Sequence, residues 1–295
     1  VEWAAMSSGS IQRIGVVLKT TSSEAADLGH ELVEEIRRLG LQPVIDNETA
    51  SVLPSDDEID REDLPAHVDL VVVLGGDGTL LSVTRGRIEG TPILGINMGT
   101  LGFLTDHPVD ALFTALRTAL AGESRIVRRE RLMVTVQRPG EDTVTRCVLN
   151  DAVVNKSALA RMLVLSVHVD GHFVSRFKAD GLIVATPTGS TAYNLSAGGP
   201  ILYPNLEVIV VTPICPHALT NRPIVLSLDS QIEIRLERDS EEVFLTLDGQ
   251  QGFPITTADL VRIERCQDPV HLIADQNRSY FQVLHHKLKW GERGG

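Results

Sequence analysis

Four short segments hold the side chains whose types and spacing can do chemistry. The first is Leu74-Gly75-Gly76-Asp77-Gly78-Thr79. An apolar run, Leu70 to Leu74, enters three glycines in four positions, with a carboxylate at the tip. Glycine opens backbone conformations closed to other residues and lets a ligand come close. The N–H groups at the start of a following helix favour an anion such as phosphate. No Gly-Lys-Ser or Gly-Lys-Thr follows, so this is not a Walker loop, and it is not Gly-x-Gly-x-x-Gly. The chemistry suggested is a phosphate handled beside a carboxylate, although the same residues also build an ordinary tight turn. The second segment, Gly95 to Phe103, is again glycine-rich and again follows an apolar run. Two such loops on one sheet fit either opposite walls of a cleft or two ordinary strand-to-helix turns. The third runs from Asp180-Gly181 to Thr186-Pro187-Thr188-Gly189-Ser190-Thr191-Ala192-Tyr193 and closes at Ala197-Gly198-Gly199-Pro200. Four hydroxyl residues within six positions supply donors for ribose, amide or phosphate oxygens, and Tyr193 offers a ring for stacking. The fourth is Asn150-Asp151, a polar pair among apolar neighbours that is costly to bury unsatisfied. His217 stands alone, and no spacing resembles a metal cluster or a catalytic triad.

These segments need elements to hold them. Ile14 to Leu18 reads as a strand, and Ser22 or Ser23 caps a helix starting near Glu24. Leu28, Leu32, Ile36 and Leu39 supply its apolar stripe, and Gly40 ends it. Strands follow at Pro43 to Ile45, Leu70 to Leu74 and Pro92 to Ile96, with helices at Thr79 to Arg87 and Asp110 to Leu120. Uninterrupted strands alternating with helices predict a parallel sheet covered on both faces. From Arg131 to Ile273 the pattern turns to β-branched runs between turn signals. Met162 to Val169 and Phe173 to Phe177 flank Asp170-Gly171 as a hairpin. Val243 to Leu247 before Asp248-Gly249 repeats the idea, as does the pair Ile224 to Leu228 and Ile232 to Leu236. Tyr280 to Leu288 reads as a last helix. The fold class is therefore an α/β N-terminal domain with a parallel sheet, followed by a mainly β C-terminal domain. The domain expectation is 1–125 for the first, joined by a returning tail at 276–295, and 126–275 for the second.

The chain has 295 residues, 43% of them hydrophobic, with a formal charge of −12. That acidity argues against nucleic acid and anionic membrane as partners. The stretch Glu48 to Asp63 holds seven carboxylates against one Arg and reads as a solvated, mobile loop. Basic residues at Arg125 to Arg131 remain as a place to meet a phosphorylated ligand. Cys147, Cys215 and Cys266 form no Cys-x-x-Cys pair, are expected to be small buried groups, and fit a reducing compartment. Val1 to Ser10 lacks the features of a secretion signal, and no run approaches the roughly 18 to 20 apolar residues that span a bilayer. The cytoplasm is the expected location.

In this order the four segments resemble the NAD kinase family, over Asp69 to Asp106 and Leu149 to Arg222 and more loosely to Gln250 and the C-terminus. Gly-Gly-Asp-Gly-Thr is shared with diacylglycerol and sphingosine kinases, whereas TPTGSTAYNLSAGGP (Thr186 to Pro200) is the specific part. The resemblance implies transfer of phosphate from ATP or polyphosphate to the 2′-hydroxyl of the adenosine ribose of NAD, giving NADP. It implies that Asp77 faces that hydroxyl as base or orienting group, with Gly75, Gly76 and Gly78 around it and Phe103 closing the cleft. Asn150 and Asp151 would hold the riboses and adenine. Asp180, Thr188, Thr191, Ala192, Tyr193, Asn194, Leu195 and Ser196 would serve the nicotinamide and adenine ends. Arg161, Lys178, Cys215 (through its backbone), His217 and Gln250 match looser positions lining the site. Many members have Glu where this chain has Asp151. A cation at Lys178 suggests NAD over NADH and ATP over polyphosphate. The resemblance also implies a homodimer or homotetramer, and Mg2+ or another divalent metal held largely by the phosphates. Two other readings are a lipid kinase sharing the glycine turn and a non-catalytic NAD(H)-binding regulator.

Overall fold

The computed structural model describes residues 11–55, 59–157, 161–218, 220–238 and 242–290. The Val1 to Ser10 segment lies outside them. The chain divides into two compact units, one formed by the chain up to Arg128 together with Val270 onward, the other spanning Arg129–Pro269.

The first unit is built on a sheet whose order is Gln42–Ile45, Arg13–Leu18, Leu70–Gly75, Pro92–Asn97, Val270–Ala274, Arg125–Arg129, with His107–Pro108 paired to Pro92–Asn97. The pairs from Gln42–Ile45 through to Val270–Ala274 are parallel. Leu70–Gly75 and Pro92–Asn97 are buried along their whole length, as the uninterrupted apolar runs require. Ser22 caps the Ser23–Arg38 helix by accepting the Ala25 N–H, and the helix buries Ala25, Gly29, Leu32, Val33 and Ile36. Leu39, expected on that stripe, is the C-cap and is exposed, because the helix stops there and Gly40 turns away at positive φ. The order reverses at Arg13–Leu18, so the next strand, Leu70–Gly75, ends at the topological switch point where open α/β sheets bind ligands. Val270–Ala274 belongs to this sheet, so the chain returns at Val270, ahead of the expected 276. Tyr280–Leu288 follows, with a capping box between Ser279 and Gln282.

Two sequence expectations about charge change in this unit and the next. The acidic stretch is not simply a solvated loop. Its one arginine, Arg61, is 8% exposed and ion-pairs with the fully buried Asp46 at 3.0 Å. Arg61 also reaches Thr49 and the Leu18 carbonyl, tying the segment to the sheet. At the far side of the basic run, Arg131 is 1% exposed, in the second unit, and is held by the Asp268 carboxylate and carbonyl at 2.8 and 2.7 Å. It is a structural cation, not one offered to a ligand.

Among the described residues, the second unit is two six-stranded sheets. One runs His172–Ala179, Leu163–Val169, Ile232–Leu236, Leu260–Arg265, Leu132–Gln137, Val144–Val148. The other runs Ile224–Ser227, Val208–Ile214, Gly181–Ala185, Asp151–Lys156, Val243–Leu247, Gln251–Pro254. Alternate residues from both sheets, among them Val134, Leu165, Val154, Leu182 and Leu245, fuse into one core. The hairpins at Asp170-Gly171 and Asp248-Gly249 form with positive φ at all four residues. The third expected hairpin does not: Ile224–Ser227 joins an edge of one sheet while Ile232–Leu236 lies inside the other. The turn between them, Leu228 to Gln231, carries the chain from sheet to sheet, because each run has an apolar face that the shared core can bury.

Candidate active site

In the first unit the glycine turn forms as the sequence requires. Gly75 ends its strand, Gly76 precedes the helix, and Asp77 is the first residue of the Asp77–Val83 helix, with Gly78 exposed beside it. The Asp77 carboxylate does not hang free at the tip. Its Oδ2 accepts the Phe103 N–H at 2.8 Å. Its Oδ1 accepts the Leu104 N–H at 3.0 Å and both the N–H and the hydroxyl of Thr105 at 3.1 Å. Gly102 makes room for this: a Cβ there would collide with Asp77 Oδ1 and the Thr105 hydroxyl. Asn97 braces the same loop, donating to the Thr100 carbonyl and the Thr105 hydroxyl and accepting the Gly99 N–H. The two glycine-rich loops are therefore stitched to each other through Asp77. With three donors on Oδ1 and one on Oδ2, the remaining acceptor capacity of the carboxylate lies on Oδ2. Phe103 is half-buried, its ring 6.4 Å from that of Tyr280 on the last helix.

In the second unit a cavity of about 300 Å³ is lined by Asn150, Asp151, Val153, Asn155, Ala192, Tyr193, Thr246, Asp248 and Gly249. Asp151, Val153 and Asn155 alternate along one strand, so the pleat turns all three to the same face. Their neighbours Ala152 and Val154 point into the core between the sheets. Four of the sequence-derived candidates, Asn150, Asp151, Ala192 and Tyr193, thus share one cavity, with Tyr193 exposed at 44%. Asp151 is 3% exposed, and burial, reinforced by the negative charge of Asp248, pushes its carboxyl up to about 7. Asp248 accepts the N–H groups of Leu149, Asn150 and Asp151 at 3.0, 2.7 and 3.1 Å, and gives its own N–H to the Asp151 carbonyl at 2.9 Å.

The hydroxyl-rich segment works differently from the expectation that it supplies ligand donors. Thr186 donates to the Leu149 carbonyl, Ser190 to the Pro187 carbonyl, and Thr191 to the Thr188 carbonyl. Thr188 is buried. Asn194 is fully buried, donating to the carbonyls of Ser190 and Pro200 and accepting the Thr212 hydroxyl at 2.7 Å. These groups lock the loop's shape. Gly189 lets the loop lie against Asn150, whose carbonyl a Cβ would strike. Leu195 is half-buried and Ser196 exposed on the short Tyr193–Ser196 helix.

A second group gathers where the ends of the Gly181–Ala185 and Val208–Ile214 strands of this sheet meet the end of the His172–Ala179 strand of the other. Asp180 gives its N–H to the Ile214 carbonyl at 2.9 Å and pairs with the Lys156 ammonium at 3.5 Å. His217 gives its N–H to the Lys178 carbonyl at 2.9 Å, and Lys178, Cys215 and His217 are all exposed. Cys215 thus departs from the expected buried cysteine. Cys147 and Cys266 do lie in the interior or partly so, with their sulfurs 2.8 Å apart. Arg161 and Gln250 are exposed, outside the cavity lining.

Sequence reading missed Val153, Asn155, Thr246, Asp248, Gly249 and Lys156. Period-two alternation from Asp151 points to Val153 and Asn155. Asp248 was legible only as a hairpin residue, since nothing local joins it to Leu149–Asp151. Among the described residues, no group of three or more His, Cys, Asp or Glu side chains is arranged to hold a metal ion. No helix among them is long and apolar enough to cross a membrane.

Comparison with known proteins covers both units. Residues 14–124 match the ATP-NAD kinase N-terminal domain and residues 149–274 the ATP-NAD kinase C-terminal domain. The chain is 47% identical to the NAD kinase of Geotalea daltonii over 285 residues, covering 96% of this chain and 100% of that one. It is 44% identical to the NAD kinase of Geobacter sulfurreducens over 286 residues, with the same coverage. A solved NAD kinase from Archaeoglobus fulgidus in complex with ATP superposes with a TM-score of 0.74 at 29% identity, over 94% of this chain and 99% of that one. Yeast NADH kinase complexed with NADH gives a TM-score of 0.86 at 24% identity, over 97% and 90% of the two chains, a likeness of fold.

Proposed function

The chain belongs to the NAD kinase family, and we propose a division of labour for its residues in passing phosphate from ATP to NAD. Asp77 orients the 2′-hydroxyl of the adenosine ribose through Oδ2 and accepts its proton as the bond from that oxygen to the γ-phosphorus forms and the bond from the γ-phosphorus to the bridging oxygen breaks, releasing ADP. The single observation that carries this is the seating of Asp77 on the N–H groups of Phe103, Leu104 and Thr105, which holds the carboxylate in place before substrate arrives. Phosphoryl transfer passes through a loose transition state, so aim and charge matter more than base strength. Gly76 offers an open approach for phosphate, because nothing lies within 4 Å of where a Cβ would sit. Asn150, Asp151 and Tyr193 hold the dinucleotide in the cavity they line. Lys178, Asp180, Cys215 and His217 serve its other end, with Lys156 steadying Asp180. Arg161, Gln250, Phe103, Leu195 and Ser196 complete the binding set by kinship alone.

A divalent metal is expected with ATP, supplying charge neutralisation on the phosphates. The described residues do not form a cage for it, so the phosphates would be its main ligands. Kinship with the family supports a homodimer or homotetramer in the cytoplasm. The lipid-kinase alternative rests on Gly75 to Thr79, whereas the likeness to NAD kinases runs through both units.

A coupled assay for NADP with ATP, and then with polyphosphate, tests the reading and names the donor. In that assay Asp77→Asn is expected to lose about 10²-fold or more in kcat while still binding NAD by calorimetry. Turnover near the parent's would remove Asp77 from the chemistry. Binding of NAD by the parent without any NADP formed would make the protein a regulator.

A further inference from the structure

Asp248 is the first of the three residues, Asp248 to Gln250, that turn the chain from Val243–Leu247 to Gln251–Pro254, and it sits at φ 48. A turn needs only that conformation, which Asn or Gly supplies equally well. This residue does more. Its side chain reaches across to a different part of the chain and accepts three consecutive N–H groups, from Leu149, Asn150 and Asp151. A carboxylate accepting backbone N–H groups makes charge-assisted hydrogen bonds, about twice as strong as neutral ones. Asp248 is 7% exposed and also lines the cavity, so these bonds form away from bulk water.

The same residue acts on its neighbour's proton. Burial of Asp151 disfavours its charged form first, and the Asp248 charge disfavours it further. The elements around Asp151 supply little to counter this. Gly181–Ala185 and Val243–Leu247, its partner strands, contain no charged residue. From the Thr186–Ser196 segment the titratable group at the cavity is Tyr193. Lys156, on the same strand, lies at its opposite end against Asp180.

We propose that Asp248 is a positioning residue for NAD: its carboxylate fixes the Leu149–Asp151 backbone and so sets the Asn150 and Asp151 side chains toward the ligand in the cavity that all three line. This rests on the assignment of the cavity to NAD. A neutral Asp151 presents an O–H donor and removes one negative charge from a pocket that takes an anionic dinucleotide. The ionised form would set two carboxylates and the pyrophosphate ligand in one cavity.

The test uses the full chain. Asp248→Asn is expected to raise KM for NAD about tenfold or more, with KM for ATP and kcat within about twofold, since one set of charged hydrogen bonds is lost. In calorimetry with NAD across pH 5.5 to 8.5 (a range of about three units around the ordinary histidine and shifted Asp151 region), parent affinity falls as pH rises through the Asp151 ionisation. In Asp248→Asn that fall moves to lower pH, because the charge that raised Asp151 is gone. In Asp151→Asn the fall disappears. Asp259→Asn serves as a control: Asp259 likewise accepts the Thr256 N–H and pairs with Arg138, but lines no part of the cavity. It is expected to lower stability without changing KM for NAD. A KM for NAD in Asp248→Asn no higher than that of Asp259→Asn overturns the proposal. If Asp248→Asn does not fold, amide exchange in the parent decides. Protected N–H groups at Leu149, Asn150 and Asp151 support the anchor, and exchange at the solvent rate overturns it. A parent that binds no NAD would instead defeat the assignment of the cavity.

Discussion

At the scale of single residues, the site is made of carboxylates in unlike settings. Asp77 is half-buried, with three donors on Oδ1 and one on Oδ2, Asp151 is buried with a like charge nearby, and Asp248 is buried on three N–H groups. The hydrogen bonds to Asp77 alter what Asp77→Asn is expected to do. An amide that turns its oxygen toward Leu104 and Thr105 sets its NH2 against the Phe103 N–H, so the loop loosens and about 1–3 kcal/mol of local stability is lost. The activity loss must therefore be read beside a melting curve. Asp151 carries a prediction of opposite sign. Its folded-state value of about 7 lies above the unfolded value near 3.9, so the folded chain binds that proton more tightly. Stability from this group is fully present below about pH 4 and is lost as pH rises through about 7. Asp151→Asn, which cannot ionise, is expected to gain stability over the parent at pH 8, by at most about 4 kcal/mol, and little at pH 4. Urea midpoints of both proteins at the two pH values measure it; an equal difference at both would show that Asp151 does not titrate in this range.

At the scale of elements, glycines decide where loops can lie. Gly189 and Gly76 make a paired test. At Gly189 a Cβ would strike the Asn150 carbonyl, a backbone atom that cannot swing aside. Gly189→Ala is expected to cost about 1–3 kcal/mol and to weaken NAD binding by displacing Asn150. At Gly76 the backbone is extended, at φ −110, and the space is open. Gly76→Ala is expected to leave stability within about 0.5 kcal/mol. A fall in kcat or a rise in KM for ATP in that variant would then report a phosphate passing close to Gly76; melting and steady-state kinetics separate the two effects. Strand periodicity had made the elements themselves legible. Leu70–Gly75, Pro92–Asn97, the Asp170-Gly171 hairpin and Tyr280–Leu288 lie where apolar spacing and turn residues put them. The failed hairpin between Ile224–Ser227 and Ile232–Leu236 shows the limit, because alternation marks a strand but not its partner.

At the scale of the whole molecule, the first unit is completed by the end of the chain. Val270–Ala274 lies between Pro92–Asn97 and Arg125–Arg129 in the sheet order, and Val270, Leu272 and Ile273 are at most 4% exposed. Burying each is worth about 1.5–3 kcal/mol, and two further strands would be left with open edges without them. A chain ending at Pro269 is therefore expected to lose the cooperative unfolding of the first unit. Circular dichroism melting of the truncated protein checks this, and a parent-like transition would show that the sheet closes without its last strand.

The sequence by itself determined the strand-and-helix alternation, the change to a β-rich second half, the Asp77 turn, the Asn150-Asp151 pair and the family. Each of these is written in local spacing or in a contiguous motif. Tertiary structure alone decided how the polar groups are used. It set Asp77 on the Phe103–Thr105 loop, turned the hydroxyls of Thr186, Ser190 and Thr191 onto carbonyls, buried Arg61 and Arg131 in ion pairs, and brought Asp248 to Leu149–Asp151. The physical reason is that a donor or acceptor is satisfied by whatever the fold brings within about 3 Å. Residues 97 positions apart in the chain, such as Asp151 and Asp248, leave no trace of that meeting in their order.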